Sequence, residues 1–521
     1  MDGTQTSAGQ VREAAGANGR AARGRWWALV AIAVSVLVVG LDLTVLSLAL
    51  PTISVDLHAS TSSLQWITDA YSLVLAAMIL PAGMLGDRFG RKKILIGALV
   101  LFGLSSAACA YATSTGELIA ARTILGIGAA AVFPLSISVI PVLFEREERQ
   151  RAITLIASAT MLSFPIGPIV GGYLLDHFWW GSVFLINVPI VVLAVIAVTI
   201  LLPESRSEKK PRFDLPGVII SCVGLVALTY GFIKVGNDGW SDATALATIA
   251  AGAVVLAMFV WWQRRASSPL IDLGLFSSRG FTWGTILGTM VSFAMFGLLF
   301  CLPQYFQDVK GADAMGSGIR LLPLIGGMVV AMLVGTRLQA PRKGRPPVLS
   351  AKLAATIGFV IMGAGLAIGA TTSATSGTGF AVLWIAVTGA GLGLAMPSAM
   401  TAAVGALSAE RSGSGSALLT ALRQVGATIG TAILGSVLSN GYTSALHLPA
   451  PLEAVARRSV AVGVEAAIKR RSVEALEDVR AAFVHGMDIM LITCGAIALV
   501  SAILALAFLP RGTATKAGSE P

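Results

Sequence analysis

The sequence predicts an all-α chain that crosses a lipid bilayer about fourteen times, and three observations carry that expectation. First, charged residues make up only 12% of the 521 residues and hydrophobic ones 55%. Soluble domains carry about twice that charge, so too little polar surface is available to cover a globule. Second, the apolar residues come in long blocks: 243–263 and 380–404 hold no charge, and 215–236 holds only Lys234. Runs of about 18 or more apolar residues read as membrane spans. Third, Lys and Arg concentrate in every second loop between these blocks.

The head of the chain is Gly/Ala-rich and polar, with Arg12, Arg20, Arg23 and Arg25. The apolar stretch that follows, Trp26–Leu50, is longer than the roughly 7–15-residue core of a signal peptide, so it is expected to stay as the first span. Spans 1 and 2 are placed at 27–50 and 66–85 and lead to Arg88, Arg91, Lys92 and Lys93. Spans 3 and 4 (94–112, 117–142) lead to Arg146, Arg149 and Arg151. Spans 5 and 6 (152–175, 182–203) lead to Arg206, Lys209, Lys210 and Arg212. Spans 7 and 8 (215–236, 243–263) lead to Arg264, Arg265 and Arg279; spans 9 and 10 (281–306, 316–338) lead to Arg342, Lys343 and Arg345. Spans 11 to 14 follow at 351–371, 380–404, 414–440 and 486–509. The short loops on the other side carry only Lys310. The positive-inside rule then puts the basic loops and both termini in the cytoplasm of a plasma-membrane protein. The ten tryptophans all fall near span ends, as an interfacial belt requires.

That placement accounts for the net charge of +10 without any nucleic acid. The four cysteines lie in apolar segments with no pairing or zinc spacing. The segment 441–485 is long, mixed in charge and rich in Ala, Val, Glu and Arg, and is expected to form one or two amphipathic helices outside the cell. Arg88-Phe89-Gly90-Arg91 after span 2 and Arg342-Lys343-Gly344-Arg345 after span 10 form a faint internal repeat. Repeated bundles around a midplane site are common in secondary transporters.

No Walker A sequence, metal-ligand cluster or nucleophile elbow is present. No enzyme activity, cofactor or metal is expected, and an ion gradient is the remaining energy source. Asp42 lies well inside span 1, where a carboxylate is costly unless it faces a cavity or a partner. It is the leading candidate to load and release a proton; a structural hydrogen bond to a neighbouring helix is the alternative. Arg122, a short way into span 4, keeps its charge and needs an acceptor; a fixed cation near an acid sets when that acid releases its proton. Asp69 is placed at the start of span 2, where coupling competes with simple stabilisation by the helix dipole. Glu117 and Asp488 lean further toward that dipole reading. Arg320 and Arg423 sit inside the ends of spans 10 and 13, where snorkelling explains both. The four histidines fall in or beside outer loops.

The loop from Gly83 through Gly86, Asp87, Arg88, Gly90 and Arg91 to Lys93 is the most specific signal, combining tight-turn glycines with an acid amid basic residues. With it the chain resembles the fourteen-helix drug:proton antiporters of the major facilitator superfamily. Leu41-Asp42-Leu43-Thr44-Val45 through Pro51 resembles that family's first-helix motif, and Arg122 to Gly126 and Gly128 its fourth-helix motif. Ile166-Gly167-Pro168-Ile169-Val170-Gly171-Gly172 resembles its antiporter motif, and Phe184 to Pro189 also matches.

The resemblance implies two six-helix bundles at 26–203 and 281–510, the second including the loop 441–485. Spans 7 and 8 with flanking loops (204–280) would be an insertion between them, and 1–25 and 511–521 a disordered head and a cytoplasmic tail. It implies that Gly83, Asp87, Arg88, Gly90 and Arg91 form a conformational latch, with Asp87 meeting the start of span 13. Gly167, Pro168, Gly171 and Gly172 would bend span 5 and let it pack tightly. One departure stands out. Exporters of multiply charged cations in this family often carry extra acids in spans 10 and 13, and neither span here offers one. That argues against a dication exporter and leaves room for neutral or anionic antibiotics.

The expected function is proton-coupled efflux of small organic molecules by alternating access, with the chain acting as a monomer. Phe133, Phe164, Phe293 and Phe296 are candidates to line the cavity, against the alternative that they pack in the core or face lipid. A proton-coupled importer or a lipid flippase is the competing reading within transport, and a non-transporting sensor the one outside it.

Overall fold

The computed structural model describes residues 5–206, 214–340, 347–407 and 412–510. Among them, fourteen helices are long and apolar enough to cross a membrane. They are α1 (Arg25–Asp56), α2 (Thr61–Phe89), α3 (Arg91–Ala110), α4 (Thr115–Leu143), α5 (Glu147–His177), α6 (Ser182–Leu201) and α7 (Leu215–Gly236). The rest are α8 (Ala243–Gln263), α9 (Arg279–Val309), α10 (Ala314–Gln339), α11 (Ala351–Gly369), α12 (Thr378–Val404), α13 (Gly415–Ser444) and α14 (Val473–Phe508). The helix of α1 begins earlier, at Gln5, within the stretch expected to be disordered.

The helices outrun the apolar blocks that announced them. A span is legible only where it meets hydrocarbon, whereas a helix continues until its backbone is capped. The chain enters α2 at Ser60, whose hydroxyl accepts from the Ser63 amide, rather than near Trp66. Asp69 is therefore two turns inside α2 and not at its start. The last helix begins at Val473, capped by Ser472, and reaches far outside the apolar stretch. At α4, Ser114 accepts from the Glu117 amide while the Glu117 carboxylate accepts from Thr113, a reciprocal cap that fits the dipole reading of Glu117.

Helices α1 to α6 form one bundle, in which α1 packs on α5 and α6, and α4 on α2 and α3. Helices α9 to α14 form the second, with α12 against α9, α10 and α11, and α14 against α11 and α13. The bundles meet along α2–α13 and α5–α10, with α1 on α9. The remaining pair, α7 and α8, pack on each other, and α7 rests on both α2 and α13. Asp214 ties the foot of this hairpin: it caps α7 at Gly217 and accepts from Trp262 Nε1 (2.9 Å) and Gln263 Nε2 (2.8 Å) of α8. Ser436 of α13 donates to the Phe232 carbonyl of α7 (2.7 Å), seating the hairpin on the seam between the bundles.

Because the span count is even, α1 starts and α14 ends on one side, here the tail side. The long loop between α13 and α14 lies on the other, the loop side. It holds two short helices, Ala450–Ala456 and Val460–Lys469.

Candidate functional site

Asp42 sits near the middle of α1 on a stripe whose neighbours Val38, Val45, Leu46 and Ala49 are all buried. That spacing turns it into the first bundle. Its carboxylate is almost wholly buried and forms an ion pair with Arg122 of α4, whose side chain is fully buried. Arg122 Nε also donates to the Ile67 carbonyl of α2 (3.1 Å). Its guanidinium lies 4.4 Å from the Tyr71 ring centre and 5.9 Å from that of Phe184. Asn187 of α6 donates to Asp42 Oδ1 (3.4 Å) and to Ser106 Oγ of α3 (3.0 Å), and Ser106 donates to the Phe184 carbonyl (2.8 Å). The acid is thus held by α3, α4 and α6 together. A charge in such surroundings persists only while paired and hydrogen-bonded.

Asp69 does not join this network. It is fully buried, and neither carboxylate oxygen has a protein partner among the described residues. One turn earlier, Gln65 donates to the Thr431 and Ala432 carbonyls of α13 (3.3 and 3.1 Å), so this face of α2 meets the second bundle.

Thr44, two residues past Asp42, meets the antiporter motif. A Cβ on Gly167 would fall 1.9 Å from Thr44 Oγ1, and one on Gly172 2.6 Å from the Met315 Cα of α10. Gly171 faces Val45, and the Pro168 carbonyl lies against Gly318 of α10. Only residues without side chains let α5 approach α1 and α10 this closely. One turn on, Asp176 accepts from the Ala314 and Met315 amides (3.0 and 3.1 Å), capping α10 across the seam between bundles. Gln307 of α9 donates to the Leu48 carbonyl of α1 (2.9 Å). These contacts close the loop side.

The stretch from Gly83 expected as a loop is helical: α2 runs to Phe89, and only Gly90 separates it from α3. In the last turn of α2, Asp87 accepts from Arg91 Nε (2.9 Å), and the Arg91 amide donates to the Ser205 carbonyl (2.8 Å) just past the end of α6. Gly90 has φ +116°, a conformation closed to most side chains, and Glu204 packs over it. Gly83 faces Pro134 of α4, and Arg88 lies over the Phe89 ring (5.4 Å). The partner of Asp87 among the described residues is Arg91, and the expected meeting with the start of α13 is not seen there; the residues just before that helix, 408–411, lie outside the described residues.

A cavity of about 370 Å³ lies between the bundles in their tail-side half. Phe133 of α4 and Phe164 of α5 line it, with Met295 of α9, Met328 of α10 and Met400 of α12. A smaller pocket beyond it reaches Thr44 and Pro168. Phe293 and Phe296 stand outside this lining: Phe293 is buried with its backbone against Gly430 of α13, and Phe296 packs on the apolar core. Arg423 of α13 does not snorkel to an interface; it lines the cavity. Asp176 looks like an ordinary charge near a helix end in the sequence, and only packing distinguishes it.

Residues 32–431 match the family model described as Major Facilitator Superfamily. The chain is 33% identical over 501 residues to the tetracenomycin C resistance and export protein of Streptomyces glaucescens, covering 93% of this chain and 92% of that one. It is 33% identical to the multidrug efflux pump LfrA of Mycolicibacterium smegmatis (89% and 92% covered). It is also 31% identical to the methyl viologen resistance protein SmvA of Salmonella typhimurium (92% and 97% covered). Among solved structures, a bacterial homologue of the human lysosomal transporter Spinster, inward-facing and unoccupied, superposes with a TM-score of 0.67 at 17% identity over 93% of this chain and 96% of that one. With fourteen helices in two bundles and an inserted pair, the chain belongs to the major facilitator superfamily, among its fourteen-helix drug:proton antiporters.

Proposed function

We propose that this protein expels lipophilic small molecules across the plasma membrane in exchange for protons, and that it carries no enzyme activity. The tail side is the cytoplasm, so both termini are cytoplasmic, the cavity faces inward, and the chain works as a monomer. The division into 26–203, 204–280 and 281–510 follows from the same reading. The observation that carries it is the buried Asp42–Arg122 pair, two residues from the Thr44–Gly167 contact that seats α5, the helix that meets α10 across the seam.

The exchange runs as follows. With the loop side open, a proton reaches Asp42, and the carboxyl no longer balances Arg122. The first bundle rearranges, the loop side closes along α5 and α10, and the cavity opens inward. There the proton leaves, Asp42 regains Arg122, and the cargo enters among the phenylalanines and methionines. One protein holds proton and cargo in alternation because each favours a different arrangement of the same helices. The names of relatives, an export protein and a multidrug efflux pump among them, support the outward direction. Asp69, buried and without a partner among the described residues on the face of α2 that meets α13, is a second group in the proton path.

Everted vesicles offered a fluorescent drug substrate from the medium test this. Asp42→Asn keeps the size of the side chain and removes the titration, so proton-driven uptake is abolished while membrane insertion stays normal. Undiminished uptake by that variant refutes the proposal.

A further inference from the structure

From the cavity lining we infer that the cargo is a lipophilic organic anion, an aromatic or apolar body bearing one carboxylate, sulfonate or phenolate, bound through Arg423. This rests on the efflux reading and adds the chemical class of the cargo.

Arg423 is the one charged side chain among the described residues of the lining; the rest is almost wholly apolar. Its only hydrogen bonds to described residues are weak. Nε lies 3.4 Å from Ser292 Oγ of α9, and Nη1 3.8 Å from Met400 Sδ of α12. No carboxylate among the described residues pairs with it. Arg122, a fully buried cation, has Asp42, Ile67 and two aromatic rings around it. The contrast decides the matter. Fixed cations away from water are normally paired, and here the partner is left for the ligand to supply.

The planar guanidinium suits this role because it presents parallel N–H donors to a carboxylate or sulfonate. Met161, Met295, Met328, Met332, Met396 and Met400 surround the space. Methionine is flexible and polarisable, and it adapts to bodies of different outline and packs on ring edges. The cavity therefore selects charge at one point and tolerates shape elsewhere. A lipophilic cation meets repulsion from Arg423 and finds no acid in the lining, so the same residue rejects the wrong class.

The test compares two dyes built on one xanthene core, fluorescein (anionic) and rhodamine 6G (cationic), binding to the purified full chain in phosphatidylcholine nanodiscs without any gradient. Fluorescein is expected to bind at least about tenfold more tightly, the scale of one hydrogen bond to a charged group. Arg423→Gln should weaken fluorescein by about tenfold or more and leave rhodamine 6G unweakened or improved, and Arg423→Lys should fall between. Unlabelled 2-naphthoate should displace fluorescein from the unaltered protein at lower concentration than neutral 2-naphthamide, an arm that needs no variant. Preference for rhodamine 6G, equal losses of both dyes on substitution, or equal displacement by acid and amide overturns the inference. Displacement of fluorescein by phosphatidylglycerol added to the nanodisc assigns the site to a lipid headgroup and also overturns it. Because binding is read at equilibrium, failed proton-driven transport with intact dye selectivity would strike the efflux reading alone.

Discussion

Thr44 of α1 occupies the space that Gly167 of α5 leaves empty: its Oγ1 lies 1.9 Å from where a Cβ on Gly167 would stand. Thr44 Oγ1 also donates to the Ser163 carbonyl on the same helix (3.3 Å), so the two helices are hydrogen-bonded as well as in contact. Asp42 is half a turn away. The pairing of Asp42 with Arg122 and the α1–α5 contact thus lie on opposite faces of one short stretch of α1.

Gly167→Ala drives a methyl into Thr44 and is expected to cost about 1–3 kcal/mol, the usual range for overpacking. Thr44→Ala in the same chain removes the nearer clash, with Oγ1, but leaves its Cβ 2.8 Å away, and restores part of that stability. Thermal unfolding of the single and double variants in detergent measures the coupling. Additive effects would show that the two residues do not meet.

Arg122→Gln leaves Asp42 buried and uncompensated, and loss of one partner of a buried pair costs about 3–5 kcal/mol. Adding Asp42→Asn removes the stranded charge. The double variant is expected to unfold later than Arg122→Gln alone and to be as inactive in proton-driven transport as Asp42→Asn. A double variant less stable than Arg122→Gln would contradict the pairing.

Asp176→Ala removes the cap that α5 places on the start of α10, worth about 1 kcal/mol for an N-cap. The cap joins the two bundles on the loop side, so its loss should shift the population toward loop-side-open molecules by about fivefold. Spin labels on the loop-side ends of α5 and α10 report this as a larger fraction of long distances. An unchanged distance distribution would mean that Asp176 caps α10 without biasing the conformation.

Gly90→Ala places a side chain at φ +116° beneath Glu204 and is expected to cost about 1–3 kcal/mol of strain. Glu204→Ala relieves the crowding but not the backbone strain, so the double variant recovers only part of the loss. Full recovery would assign the whole effect to contact with Glu204.

The fourteen spans were legible because hydrocarbon demands long apolar runs, and loops of alternating charge fall between them. The helix ends were not, since helices continue past the apolar stretch. Misplacing the start of α2 put Asp69 at a helix terminus when it lies two turns inside and fully buried. Asp42 and Arg122 were legible singly as ionisable groups at membrane depth. Their bond to each other was not, because 80 residues separate them. Arg423 lies nine residues past the expected start of span 13, about 13 Å along the axis, deeper than snorkelling comfortably explains; that depth was the available signal. Phe293 and Phe296 share a span with the cavity residue Met295, but hydropathy does not tell which face of a fully apolar helix looks into a cavity and which into the core.

The central claim is that cargo and proton exclude one another through Asp42. Adding cargo to the purified protein in a weakly buffered solution and following the pH of the medium tests it most directly. The account predicts that cargo binding releases protons from the unaltered chain and none from Asp42→Asn at the same occupancy. Equal release from both, or no release from the unaltered chain, would contradict it.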